Sequence, residues 1–297
     1  MSETINLIDF YNKFADEQTC RNYLEQARWD GEIVCPKCGV IGETYKYSNG
    51  KLYKCGACRK QFTVRVGTIF EDSKIPLQKW FLAVYLTTSL KKGVSSIQLS
   101  KYLGITQKSA WFMLHRIRYA VEFGSYDKQL GGDVEVDETY IGGRRRGSKR
   151  GRGGEHKTPV VGMIEREGDV GTKVTVDTKT SSVSPLVREY VSIDATVHTD
   201  EYRVYNDLDR MGYDHQSVNH SVKEWAHNAN HTNTIEGFWS HLKRGIDGIQ
   251  HHVSRKHLQR YCDEYQYRYN TRLMTDFERF ENWFGNINKH MTYKELI

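Results

Sequence analysis

The sequence predicts an α/β protein: a mixed sheet with helices packed on it, preceded by a small ribbon stapled by paired cysteines and by a helical module. Three observations carry that prediction. Two Cys-x-x-Cys pairs, Cys35/Cys38 and Cys55/Cys58, are separated by sixteen residues. Apolar residues recur at helical spacing from Pro76 to Val121, and beyond Gly131-Gly132 they recur with the period of two that marks β-strands. These transitions divide the 297 residues into an N-terminal helix and ribbon (1–66), a helical module (67–127), an α/β domain (128–250) and a C-terminal helical extension (251–297).

The ribbon comes first in the chain. Two Cys-x-x-Cys pairs at this distance have the spacing of a four-thiolate zinc site, and four thiolates close the tetrahedron, which makes the metal structural. Between the pairs, Thr44 to Tyr47, Ser48-Asn-Gly50 and Lys51 to Lys54 read as strand, turn and strand. Cys20 and Cys262 have no such neighbours and read as ordinary semi-buried thiols.

In the next module Trp80, Phe81, Val84 and Tyr85 mark one helix and Ser96 to Leu103 a second, which Gly104 stops. Thr106 then caps a third, whose stripe of Ala110, Leu114, Ile117 and Val121 leaves Gln107, Lys108, Ser109, His115 and Arg116 on the free side. The short Leu-Gly-Ile-Thr connection predicts a helix-turn-helix, with Gln107, Lys108, Ser109 and Arg116 as its DNA-contacting residues. Any small helical bundle can contain the same turn.

Beyond Gly132, Val134–Ile141, Pro159–Ile164 and Val170–Asp177 read as strands, Ser182–Val191 as a helix, Ala195–Asp200 as a strand, and 232–244 as a later helix. Between the first two strands lies the densest positive charge of the chain. Arg144, Arg145, Arg146, Lys149, Arg150, Arg152 and Lys157 face one acid, Glu155, so this tract holds the whole formal net charge of +6. Such a tract suits the phosphates of a nucleic acid, or else is a solvated loop. Its Gly-x4-Gly-Ser-Lys reverses the Lys-Ser order of a phosphate-binding loop, which excludes an ATPase of that kind. The longest apolar run, Trp80–Leu86, is too short to span a membrane, and the N-terminus lacks a signal-peptide pattern, so a cytoplasmic location without a membrane partner is expected.

Three acids stand out on separate elements: Asp137 inside the first strand, Asp200 at the end of a later one, and Glu236 within the late helix. Carboxylates converging from separate elements are what a two-metal phosphodiester site needs. Lys243 follows Glu236 by seven residues and Asn233 precedes it by three, so both share its side of the helix. Glu138 alternates to the opposite face of the strand from Asp137 and reads as outward-facing, while His198 shares the face of Asp200.

The order Asp137, Asp200, Glu236, with thirty-five residues between the last two, resembles the DDE triad of transposases and retroviral integrases. Within that class VEVDETYIGG, VHTDEY and HTNTIEGFWSHLKRG, behind a zinc ribbon, resemble the bacterial insertion-sequence transposases related to Merlin elements, the ISXO2-like group. The resemblance runs from about Trp29 to about Tyr269. It implies a ribonuclease H-like fold, two magnesium ions for which manganese can substitute, and cleavage and strand transfer at the terminal inverted repeats of an insertion sequence. Members carry asparagine or glutamate as third ligand; here Glu236 is the better donor for a hard cation, with Asn233 beside it. The partners implied are double-stranded DNA, both transposon ends and target, and a second copy of the chain, since two ends must be joined. The setting implied is the bacterial nucleoid. The alternatives are a zinc-ribbon DNA-binding regulator or domesticated transposase without catalysis, and another ribonuclease H-like nuclease.

Overall fold

The computed structural model describes residues 5–122, 129–142, 157–218 and 231–297. The chain divides into two compact units, 1–123 with 273–297, and 124–272.

The first unit opens with α1 (Leu7–Lys13) and α2 (Glu17–Trp29), capped by the side chains of Asn6 and Asp16. The ribbon follows as an antiparallel sheet of β1 (Thr44–Lys46), β2 (Tyr53–Cys55) and β3 (Gln61–Phe62); the last two residues are too short a run to announce a strand from sequence. Next come α3 (Leu77–Ser89), α4 (Ser96–Leu103) and α5 (Gln107–Val121). Gly104 ends α4 at φ +58°, a left-handed conformation that costs a glycine little, and Thr106 accepts from the Ser109 amide to start α5.

The second unit is a five-stranded sheet with the order β6-β5-β4-β7-β8. β4 (Asp133–Ile141), β5 (Thr158–Glu165) and β6 (Val170–Val174) form an antiparallel meander. The helix α6 (Thr180–Tyr190) then carries the chain to β7 (Thr196–Asp200), which lies parallel to β4, and β8 (Asp214–Val218) lies parallel to β7. Two helices, α7 (Asn233–Gly245) and α8 (Leu258–Asn270), follow. This mixed sheet with helices on both faces is the ribonuclease H-like α/β core expected from the sequence. β6 is shorter than the predicted Val170–Asp177. β8 escaped prediction because Asp-His-Gln-Ser-Val offers no apolar alternation.

Strand alternation sorts the side chains of β4, β5, β6 and β7 between two cores. Val134, Val136, Val161, Met163 and Val197 face α6 and the Tyr205–Tyr213 segment. Ile141, Val160, Ile164 and Val170 face α7 and α8. The acids Glu135 and Asp137 share the second face, the one α7 covers.

The outer side of β6 meets α8 instead of another strand. Asn270 accepts from the Val170 amide and donates to the Val170 carbonyl, at 2.9 and 3.1 Å. Gln266 accepts from the Thr172 amide at 3.0 Å. Gln259 donates to the Thr172 carbonyl at 3.0 Å and accepts from the Val174 amide at 2.7 Å. Three amide side chains of one helix thus satisfy edge groups that a strand would otherwise pair.

From Leu273 the chain belongs to the first unit again, through α9 (Asp276–Phe284) and α10 (Tyr293–Leu296), each opened by a capping box. The predicted C-terminal extension 251–297 is therefore shared between the units. The tail completes a core: Phe280 meets Phe14, whose ring also lies 4.9–5.1 Å from those of Phe10, Tyr23 and Phe81.

The same tail corrects the reading of α5. Its second side is covered, so His115 and Arg116 are buried rather than free. The Arg116 guanidinium donates to the carbonyls of Ile69, Glu71 and Met291 at 2.7–3.0 Å, a structural role that removes it from the DNA-contacting set. Gln107 and Lys108 remain exposed, and Ser109 is half-buried within the cap.

Candidate active site and zinc centre

The four cysteines of the ribbon converge so that their sulfurs all lie within 4.8 Å of one another. Cys35 and Cys58 are 3.8 Å apart, and Cys38 and Cys55 3.7 Å. A tetrahedral zinc about 2.3 Å from each sulfur requires a sulfur separation of roughly 3.8 Å. The thiols therefore stand where a structural zinc would hold them.

The acids are brought together in the second unit. A pocket of about 550 Å3 is lined by Asp137 from β4, Asp200 from the end of β7, and Glu236 and Lys243 from α7. Among the described residues the cysteines are the tightly clustered set; the three acids share a pocket without drawing so close. Asn233 opens α7 and is exposed, but the pocket is lined by its neighbour Thr232 instead. Three residues rotate a helix by about 300°, so Asn233 lies some 60° aside from Glu236, whereas Lys243 returns to within about 20°.

Asp137 is held by a bond from α7: the Trp239 indole nitrogen donates to Oδ2 at 2.9 Å. The Trp239 ring can approach the sheet this closely because β5 carries Gly162 opposite Asp137. A β-carbon on Gly162 would fall 2.5 Å from that ring. Burial, then the charges of Glu138 and Asp200, push the Asp137 carboxyl up to about 7. A buried carboxyl kept from ionising in this way, beside other hard oxygen donors, is one that a divalent cation would favour as carboxylate.

Glu138 alternates to the other side of the strand, yet it is buried rather than turned outward: it accepts from the Tyr205 hydroxyl at 2.8 Å and also lines the pocket beside Asp137. The covering Tyr205 belongs to a segment whose apolar contribution the sequence did not announce. His198 turns to the start of β4, where it bonds Asp133 at 2.7 Å and holds that carboxyl below its usual range.

Sequence reasoning missed Glu135. It is fully buried two residues before Asp137 and accepts from Arg166 Nε, Thr234 Oγ1 and the Ile235 amide at 2.9–3.0 Å. Its signal was present: strand alternation places it on Asp137's face within an apolar run. Lys157, Tyr140 and Ser240 also line the pocket and were not assigned. Arg144, Arg145, Arg146, Lys149, Arg150 and Arg152, expected to contact DNA, lie outside the described residues. Of the described residues on either side of that tract, Ile141 pairs with Thr158, and Tyr140 and Lys157 line the pocket.

Residues 129–270, from just before β4 to the end of α8, match the ISXO2-like transposase domain, and residues 15–61 match the transposase zinc-ribbon domain. An uncharacterized protein in the transposable element ISH50 of Halobacterium salinarum is 30% identical over 276 residues, covering 86% of this chain and 91% of that one. An uncharacterized transposase-like protein of Haemophilus influenzae is 34% identical over 101 residues, covering 34% of this chain and 80% of that one. Among solved structures, a simian T-cell lymphotropic virus intasome in complex with the PP2A regulatory subunit B56 gamma is similar at TM-score 0.30 and 9% identity, covering 58% of this chain and 63% of that one. A pre-cleavage Mos1 transpososome is similar at TM-score 0.29 and 12% identity, covering 67% and 76%. At such scores neither structural likeness bears on mechanism.

Proposed function

The chain belongs to the ISXO2-like transposase family, and from that premise we propose that it binds the terminal inverted repeats of an insertion sequence and catalyses metal-dependent DNA cleavage and strand transfer. The observation that carries the proposal is the single pocket lined by Asp137, Asp200, Glu236 and Lys243 from three separate elements.

Asp137, Asp200 and Glu236 would hold two magnesium ions, for which manganese can substitute. Bound there, the ions supply charge stabilisation for the attacking and leaving oxygens of an in-line displacement. Trp239 keeps one oxygen of Asp137 engaged, which fixes the other toward the pocket. Lys243 and Lys157, which line the same pocket, would neutralise the non-bridging oxygens of the phosphate under attack. In cleavage, water oxygen bonds to phosphorus while the bond to the 3′-oxygen breaks, leaving a 3′-hydroxyl. In transfer, that hydroxyl attacks a target phosphodiester and displaces its 3′-oxygen.

DNA recognition falls to the ribbon and to α4–α5, where Gln107, Lys108 and Ser109 stand at the start of the second helix. The tract from Arg144 to Arg152 would bind backbone phosphates beside the pocket. Joining two ends calls for at least two copies on DNA, and the work is that of the bacterial nucleoid. The deciding experiment incubates the protein with its element's flanking DNA, with and without magnesium, beside Asp137→Asn. Binding by both proteins, with magnesium-dependent nicking by the wild type alone, supports the proposal. Binding without nicking under any metal would make it a regulator, and equal cleavage by Asp137→Asn would remove the triad assignment.

A further inference from the structure

Two buried rungs join the strand that carries Asp137 to the helix that carries Glu236, and we propose that the first, built on Glu135, is a latch that positions Glu236 against Asp137. The inference rests on reading those two acids as metal ligands. In the first rung, Oε1 of Glu135 accepts from Arg166 Nε and from Thr234 Oγ1, each at 2.9 Å, and lies 3.1 Å from His231 Nδ1. Oε2 accepts from the Ile235 amide at 3.0 Å. Arg166 also donates to the His231 carbonyl at 2.7 Å, fastening the residue that leads into the helix. The second rung is the Trp239–Asp137 bond.

The N-cap residue of α7, Thr232, makes no side-chain cap bond. Glu135 supplies the missing acceptor from the strand beneath and sets a negative charge at the positive end of the helix. The spacing of the rungs is matched on both sides. Two residues along a strand advance about 6.7 Å, and four along a helix advance about 6 Å. Bonds at 135–235 and 137–239 can therefore form together, and Glu236 lies between them. A slip of the helix by one residue would rotate it by about 100° and turn Glu236 away from the pocket. Glu135 does not line that pocket, so it acts through α7 as a positioning residue.

Glu135→Gln is the informative change, because it keeps shape while replacing one accepting oxygen by a donor. Both carboxylate oxygens accept here, so the amide must abandon either Ile235 or the Arg166–Thr234 pair. Manganese binding by the zinc-loaded, DNA-free full chain, followed by its paramagnetic signal, reads the effect on wild type, Glu135→Gln, Glu236→Ala and the double variant. The latch predicts that Glu135→Gln weakens binding about tenfold or more, and that the double variant binds no more weakly than Glu236→Ala. A pair with only a structural role would leave manganese affinity at the wild-type value or add its full loss to that of Glu236→Ala; either result overturns the latch. Should Glu135→Gln not fold, Thr234→Val deletes one donor, spares the ion pair and carries the same comparison at smaller amplitude. Unchanged binding by both Glu236→Ala and Asp137→Asn would instead overturn the metal-site reading, and the latch with it.

Discussion

Adding one methyl group at Gly162 tests whether the sheet and α7 are fitted to each other as closely as the site requires. The new β-carbon would lie 2.5 and 2.6 Å from two atoms of the Trp239 ring and 3.1 Å from Ile235 Cδ1. Carbon atoms in contact normally stand about 3.5–4.0 Å apart, so the ring must retreat by about 1 Å. Gly162 is in mid-strand between β4 and β6, where the backbone is held on both sides, so the adjustment falls on α7. Overpacking of this kind costs about 1–3 kcal/mol, which for a unit of this size lowers Tm by roughly 3–10 °C. The retreat also stretches the 2.9 Å bond from Trp239 to Asp137, so cleavage should fall more than stability predicts. Thermal unfolding and single-turnover cleavage of Gly162→Ala provide the two readings. Trp239→Phe removes the overlapping ring atoms, so Gly162→Ala should cost less stability in that background than in the wild type. Gly162→Ala with wild-type Tm and cleavage, or equal cost in both backgrounds, would refute the packing argument.

Three other expectations follow from the geometry. The Asp137 carboxyl is raised from 3.8 to about 7 in the folded chain, so between those values the folded protein keeps a proton that the unfolded chain has released; stability without magnesium should fall as pH rises through that window, by about 4 kcal/mol in all. Asp137→Asn should therefore unfold at a higher temperature than wild type at pH 8 in magnesium-free buffer and at a similar one near pH 4, and added magnesium should narrow the gap. Arg116→Ala strands three carbonyls and should lower stability by about 2–4 kcal/mol, whereas Lys108→Ala should leave Tm unchanged and weaken DNA binding; calorimetry and a gel-shift titration separate the two. Zinc chelation, or Cys55→Ser, should unfold the ribbon and abolish end binding while the circular dichroism of the second unit persists.

What could be read from the sequence was whatever depends on local pattern. The Cys-x-x-Cys spacing contains the metal geometry within itself, and alternation along β4 places Asp137 without reference to anything distant. The reading of α5 failed because a helical wheel assumes one covered side, and the cover over Arg116 comes from Met291, 175 residues later. Glu135 was overlooked for a similar reason: its partners Thr234 and Ile235 lie about a hundred residues away, and nothing near Glu135 announces them. His198 was placed by its strand face, which is correct, but the partner that claims it, Asp133, belongs to a parallel neighbour.

The amides of α8 along β6 bear on how copies of this chain meet. A sheet that ends in bare hydrogen-bonding groups invites another strand, and many proteins form pairs by continuing one sheet into the next. Here Gln259, Gln266 and Asn270 already occupy those positions, so the sheet terminates on its own helix. Copies meeting on DNA in the way proposed above would do so without fusing their sheets along β6, and each sheet would keep its own strand register.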